Sequence, residues 1–140
     1  MGIVAIDPGQ KKCGFAYADR LRIVKRALDP LRTEGDEALL FARIDDLLRE
    51  RDVSTLLVGM PLHASGEMTE QGKLVSALVE RLRARYAKLR VVAYDERLTT
   101  KEAESRLREA GYSGGEIRAR KDSWAALVLL EDWVSSGEPG

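Results

Sequence analysis

The chain opens with three short apolar segments and then changes period. Gly2 to Ile6 is a run of small and branched apolar residues closed by Asp7-Pro8-Gly9, a turn signal. Cys13 to Ala18 alternates larger Cys13, Phe15 and Tyr17 with Gly14, Ala16 and Ala18, and Ile23 to Leu28 follows after Asp19-Arg20 as a hairpin partner would. From Asp36 to Arg51, Leu40, Ile44, Leu47 and Leu48 share one face of a helix. Thr55 to Val58 reads as a strand buried on both faces, stopped by Gly59-Met60-Pro61. Thr69 to Tyr86 returns to helical spacing through Val75, Leu78, Leu82 and Tyr86, and Val91 to Tyr94 is a last short strand ending in Asp95-Glu96. Thr99 and Glu102 have capping-box spacing at the head of a helix that runs to Gly111, and a final helix is predicted from Ser123 to Val134.

The order β-β-β-α-β-α-β-α-α predicts a mixed α/β sheet with helices on its faces. With 140 residues, the chain has room for one domain, expected over 1–136, with 137–140 as a frayed tail. No apolar run is long enough to span a bilayer, and the N-terminus has neither a basic leader nor a cleavage site. A cytoplasmic protein with no membrane partner is therefore expected.

Composition narrows the chemistry. One cysteine, Cys13, and one histidine, His63, exclude an internal disulfide and any Cys- or His-based metal cluster. A bound metal would need carboxylates, which favour Mg²⁺ or Mn²⁺. Lys plus Arg and Asp plus Glu both number 23, so total charge gives no argument for nucleic acid. Its distribution is more informative. Arg81, Arg83, Arg85, Lys88 and Arg90 form one cluster, Arg118, Arg120 and Lys121 another, and Lys11 with Lys12 a third. Each could face phosphates or be a solvated face.

Acids fall where α/β proteins build sites. Asp7 ends the first strand, Asp95 and Glu96 end the last, and Asp122 precedes the final predicted helix. Gathered together, they would repel one another unless a cation lay between them. Each has an ordinary alternative: a turn at Asp7-Pro8-Gly9, an N-cap at Asp122, and pairing of Asp95 or Glu96 with Arg97.

Four motifs in order carry a family resemblance. Ile3 to Gly9 with Lys11 to Ala16 resembles the opening strands of the YqgF/RuvX family, within the ribonuclease H-like superfamily. Leu57 to Leu62 with Ser65-Gly66-Glu67 and Gln71 resembles its middle motif. Asp95 to Ala103 is similar to its most specific signature, and Lys121 to Ala126 to its last. Gln10 stands where the family commonly has Thr or Ser, and Pro8 is closer to the related RuvC-type resolvases.

The resemblance implies a ribonuclease H-like fold, a five-stranded mixed sheet of order 3-2-1-4-5 flanked by about four helices. It implies Asp7, Glu96 and Asp122 as catalytic acids binding Mg²⁺ or Mn²⁺, with Asp95 as substitute for Glu96. Lys11, Lys12, Arg81, Arg83, Arg85, Arg97, Arg118, Arg120 and Lys121 are the candidate nucleic-acid contacts. Three functions remain open: processing of the 5′ end of pre-16S rRNA, resolution of branched DNA by a homodimer, and non-catalytic binding of nucleic acid. Retention of all the acids argues against the third.

Overall fold

The computed structural model describes residues 1–61, 67–95 and 99–140. Five strands, β1 (Gly2–Asp7), β2 (Lys12–Ala18), β3 (Lys25–Arg32), β4 (Val53–Met60) and β5 (Arg90–Asp95), form one sheet of order β3-β2-β1-β4-β5. The first three run antiparallel as a meander, and β4 and β5 join parallel to β1. The helices are α1 (Glu37–Glu50), α2 (Glu70–Arg85), α3 (Thr99–Glu109) and α4 (Gly114–Ser135). None of the described helices is long and apolar enough to cross a membrane. The sheet order and the element succession are those expected.

The alternation along β1 divides the core. Val4 and Ile6 point to one face, where Phe15, Leu56 and Val58 meet Leu40 and Ile44 of α1 and Val75 and Leu82 of α2. Ile3 and Ala5 point to the other, where Ala16 and Leu57 meet Ala126, Leu129, Leu130 and Trp133 of α4. A central strand covered on both sides reads as an unbroken apolar run, which is why β1 and β4 stand out in the sequence. Helix α3 packs on α4 through Ala103, Ala125 and Val128.

Three expectations are corrected. The last helix starts at Gly114, not at Ser123. Its N-cap is Ser113, whose hydroxyl accepts from the Glu116 N–H while Glu116 returns to the Ser113 N–H at 3.1 Å, closing a capping box. Asp122 is therefore not an N-cap but lies two turns inside α4. Strand β3 continues past Leu28 to Arg32 through Pro30. It is an edge strand whose register with β2 shifts between Cys13 and Phe15, and an edge bulge is where a residue without an N–H is tolerated. The tail is also held rather than frayed. The Trp133 indole donates to the Pro139 carbonyl at 2.8 Å, and Glu138 pairs with Arg22 at 2.8 Å.

The boundary of α4 is testable. Ser113→Ala removes the acceptor for the Glu116 N–H and should lower stability by about 1 kcal/mol in urea unfolding. Unchanged stability would show that the cap does not anchor the helix.

Candidate functional site

The two described acids of the expected triad meet across β2. Asp7 is the last residue of β1 and lies directly opposite Gly14 in the antiparallel pair. Residues so paired share a face, and the alternation Ile3-Ala5-Asp7 places that face under α4. A Cβ at Gly14 would lie 2.0 Å from the Asp122 carbonyl oxygen and 2.5 Å from the Ser123 nitrogen. Gly14 thus lets the backbone of α4 rest on β2 at Asp122, over the strand position paired with Asp7. The buried Phe15 N–H donates to the Ser123 hydroxyl at 3.0 Å, where the β2–β3 ladder is interrupted. The seat of α4 is therefore a glycine for close approach and a serine for the backbone group left over.

The environment is ionic and partly shielded. Lys12 Nζ stands 3.4 Å from Asp122 Oδ2 and donates to the Arg118 carbonyl at 3.1 Å. It ties the start of β2 to α4 and offsets the Asp122 charge. Burial pushes the Cys13 thiol above its ordinary pKa, and the negative charges of Asp7 and Asp122 push the same way. Both carboxylates are therefore near enough to Cys13 to act on it. Cys13 donates weakly to the Gly9 carbonyl and is a packed core residue.

Asp95 ends β5 and pairs with Met60, which belongs to the core under α1 and α2. Its neighbour Tyr94 instead reaches α4, its hydroxyl 3.1 Å from Asp132. By pairing, Asp95 falls in the row of Met60, opposite to that of Asp7. At the strand end it also borders a cavity of about 530 Å³ with Glu102, Arg106 and Glu131 of α3 and α4. Glu96 and Arg97 lie outside the described residues, as do His63 and the Ser65-Gly66 pair of the middle motif.

The basic candidates divide. Arg81 makes a bidentate pair with Glu37 at 2.6 and 2.8 Å; Arg83 binds Glu80 and the Val91 carbonyl; Arg85 binds Asp45 and Tyr86. These three are half-exposed, but each is already engaged by acceptors of the protein itself. Lys11 is exposed beside the site. Arg118 and Arg120 are exposed on the first turns of α4, Arg120 over the Tyr112 ring at 4.6 Å, and Lys121 is half-buried.

Asp7 and Asp122 offer hard oxygen donors on one sheet face, brought there by the close approach of α4 at Gly14, and that donor set fits a hard divalent cation. Among the described residues no group of three or more His, Cys, Asp and Glu is placed to hold a metal ion, so the pair would need a third ligand from outside them. Ser123 and Gly14 are the site residues that motif reading missed as structural supports. The signal was the small residue on each side of the contact, with Ala126 one turn further on the same helix face.

The sheet order, the long α4 across β1 and β2, and acids at the end of β1 and inside α4 define a ribonuclease H-like protein. The family description "RuvX: Holliday junction resolvase" matches residues 1–136, and the chain belongs to that family. A relative from Anaeromyxobacter sp. (strain Fw109-5), named "Putative pre-16S rRNA nuclease", is 41% identical over 134 residues, covering 96% of each chain. One of the same name from Symbiobacterium thermophilum is 37% identical, covering 97% of this chain and 93% of that one. The T. thermophilus RuvC structure in complex with a Holliday junction substrate superposes with a TM-score of 0.58 at 20% identity. It covers 98% of this chain and 96% of that one, a likeness of fold.

The contact at Gly14 generates a prediction. Gly14→Ala sets a methyl group against backbone that cannot rotate away, so α4 must lift. Stability should fall by about 3 kcal/mol, the upper part of the range for overpacking. A urea midpoint equal to that of the unsubstituted protein would show that α4 does not rest there.

Proposed function

We propose that this chain is a divalent-metal-dependent endonuclease that hydrolyses phosphodiesters of structured nucleic acid, with the 5′ end of pre-16S rRNA as substrate. The observation that carries the reading is the juxtaposition of Asp7 and Asp122 on one sheet face across Gly14. Asp7, Asp122 and Glu96 would hold Mg²⁺ or Mn²⁺. Glu96 is preferred to Asp95 as the third ligand, because pairing with Met60 puts Asp95 in the row opposite to that of Asp7; Asp95, which borders the cavity under α3 and α4, stays the substitute. When bound, such cations activate a water and stabilise the attacking and leaving oxygens of an in-line displacement.

The chain's own groups prepare the site. Asp7 is fixed by the strand ladder and Asp122 by the helix seat, so neither acid needs to be ordered when substrate arrives. Lys12 keeps Asp122 aimed while neutralising part of its charge. Lys11, Lys121, Arg118 and Arg120 surround this end of the sheet and supply phosphate contacts. Arg81, Arg83 and Arg85 are assigned to packing, because each already has an internal acceptor. The names borne by the relatives support the rRNA substrate, and that work would be done in the cytoplasm, where ribosomes are assembled.

A second reading is resolution of branched DNA, which the family description favours. It requires a homodimer, because two strands must be nicked in a symmetric pair. Cleavage of a precursor-rRNA fragment and of a four-way DNA junction, measured side by side, separates the two. We expect faster cleavage of the RNA, and a preference for the junction would favour resolution.

Asp7→Asn and Asp122→Asn should each reduce cleavage by at least about a hundredfold, an amide being a poor ligand for a hard cation, while the melting temperature stays close to that of the unsubstituted protein. Chelation should abolish cleavage, and Mg²⁺ or Mn²⁺ should restore it. Near-normal turnover by either variant would remove that acid from the site.

A further inference from the structure

The β2–β3 hairpin tip, at the opposite end of β2 from the acids, is built rigidly yet presents apolar side chains to solvent. Asp19 N–H donates to the Val24 carbonyl at 3.1 Å, the Val24 N–H to the Asp19 carboxylate at 3.0 Å, and the Arg22 N–H to the Asp19 carbonyl at 3.0 Å. Arg22 takes a left-handed backbone conformation, φ 60°, which a non-glycine residue adopts only when its surroundings hold it there. They do: its guanidinium binds Glu138 and the carbonyls of Met1, Asp19 and Arg20. On this locked turn Leu21, Ile23 and Val24 are 64%, 75% and 48% exposed.

The carboxylates at the tip, Asp19 and Glu138, are taken up by the turn and by Arg22, and the charges left over are positive. Among the described residues, Arg20, Lys25 and Arg26 have no ion-pair partner, whereas the α2 arginines are each paired. Lys25 lies opposite Ala18 and Arg26 opposite Tyr17, so the two point to opposite faces and bracket the sheet edge. The same edge is closed to strand addition by Pro30 and the β3 bulge, which disfavours a second copy pairing there.

We propose that the β2–β3 hairpin tip is a second nucleic-acid contact. In this reading Arg20, Lys25 and Arg26 neutralise backbone phosphates, and Leu21, Ile23 and Val24 lie against sugar and base surfaces. The proposal rests on the nuclease reading above. Charge complementarity selects a polyanion, and the rigid apolar tip selects one with base or sugar faces to cover. Five residue steps lead along β2 from Gly14 to the turn at Asp19, about 17 Å, or roughly five nucleotide steps of a stacked strand from the scissile phosphate. The tip therefore measures the length of the arm beside the cleaved bond.

The test compares two labelled stem-loop RNAs with 5′ single-stranded tails, one with a stem long enough to reach the tip and one too short, bound in chelator so that nothing is cleaved. Replacing Arg20, Lys25 and Arg26 together by Gln should weaken the long RNA about tenfold. It should also lower the slope of log affinity against log salt by about 2 to 3, since each phosphate contact contributes about 0.9. The pair Leu21→Ser and Ile23→Ser should weaken it several-fold with the slope unchanged. Neither variant should alter binding of the short RNA, and both should cleave it at the normal rate once Mg²⁺ is added.

Equal affinity of the charge variant and the unsubstituted protein for the long RNA overturns the proposal, as does an equal loss on both lengths. A dimer that Leu21→Ser and Ile23→Ser dissolve while RNA binding is unchanged also overturns it and makes the tip a protein interface. If the unsubstituted protein cleaves RNA, Asp7→Asn does not, and the tip variants bind normally, only this inference fails. If the unsubstituted protein binds neither RNA, the nuclease reading fails with it.

Discussion

The structure turns on one close approach, the backbone of α4 lying on Gly14 of β2. Sheets and helices ordinarily keep side chains between them, and here one has been deleted. The deletion brings the peptide of Asp122 against the strand position paired with Asp7. It also brings the Ser123 hydroxyl to the Phe15 N–H. Further along α4, Ala126 sits fully buried on the sheet, and Trp133 fills the far end of the same face. A helix seated at a small residue near one end and by a large one at the other is fixed in height and in tilt. The backbone of an acid carried by such a helix is fixed by packing, and Lys12 of β2 then needs only to aim its carboxylate.

That arrangement explains what could be read from the chain and what could not. The sheet was legible because β1 and β4 are buried on both faces and so appear as apolar runs, while β2 alternates. Helices α1 and α2 were legible because their stripes face a single core. The start of α4 was not, because residues 114–121 project beyond the core and are mostly exposed, so no apolar period marks them. The one available signal was Ser113 three residues before Glu116, weakened by Gly114 and Gly115, which look like loop. Asp122 was therefore placed at a helix start, where a capping explanation competed with the catalytic one. In the interior of α4 that explanation disappears. Pro30 hid the second half of β3 in the same way, since its position on an edge bulge is set by the neighbouring strand. The adjacent Ala125 and Ala126 divide, Ala126 to the sheet and Ala125 to α3.

Charge was legible in amount but not in use. The basic run of α2 looks like a phosphate-binding stripe until its partners are seen. Glu37 and Asp45 come from α1, 44 and 40 residues away from Arg81 and Arg85, and no local pattern announces them. Such exposed pairs add little stability each, but they remove these cations from the supply available to a polyanion. With a formal net charge of zero, whatever attraction the protein has for nucleic acid must come from places where positive charge is left over. The surroundings of the acids and the β2–β3 edge are two such places, at opposite ends of one strand.

The contrast between the two ends of β2 is itself a physical argument about division of labour. At the end holding Asp7 and Asp122, charge is concentrated, partly shielded and internally compensated by Lys12, as suits groups that must be held at short range. At the hairpin end the backbone is locked while the side chains are open, as suits contact with a large surface approached from solvent. Chemistry at a single phosphate needs geometry fixed to within a fraction of an ångström, which close packing of α4 on Gly14 can supply. Choosing which phosphate is presented needs reach, and a stiff strand about 17 Å long supplies that without any moving part. Both properties follow from the same short segment, in which Gly14 gives up its side chain at one end and Arg22 is held in a strained turn at the other.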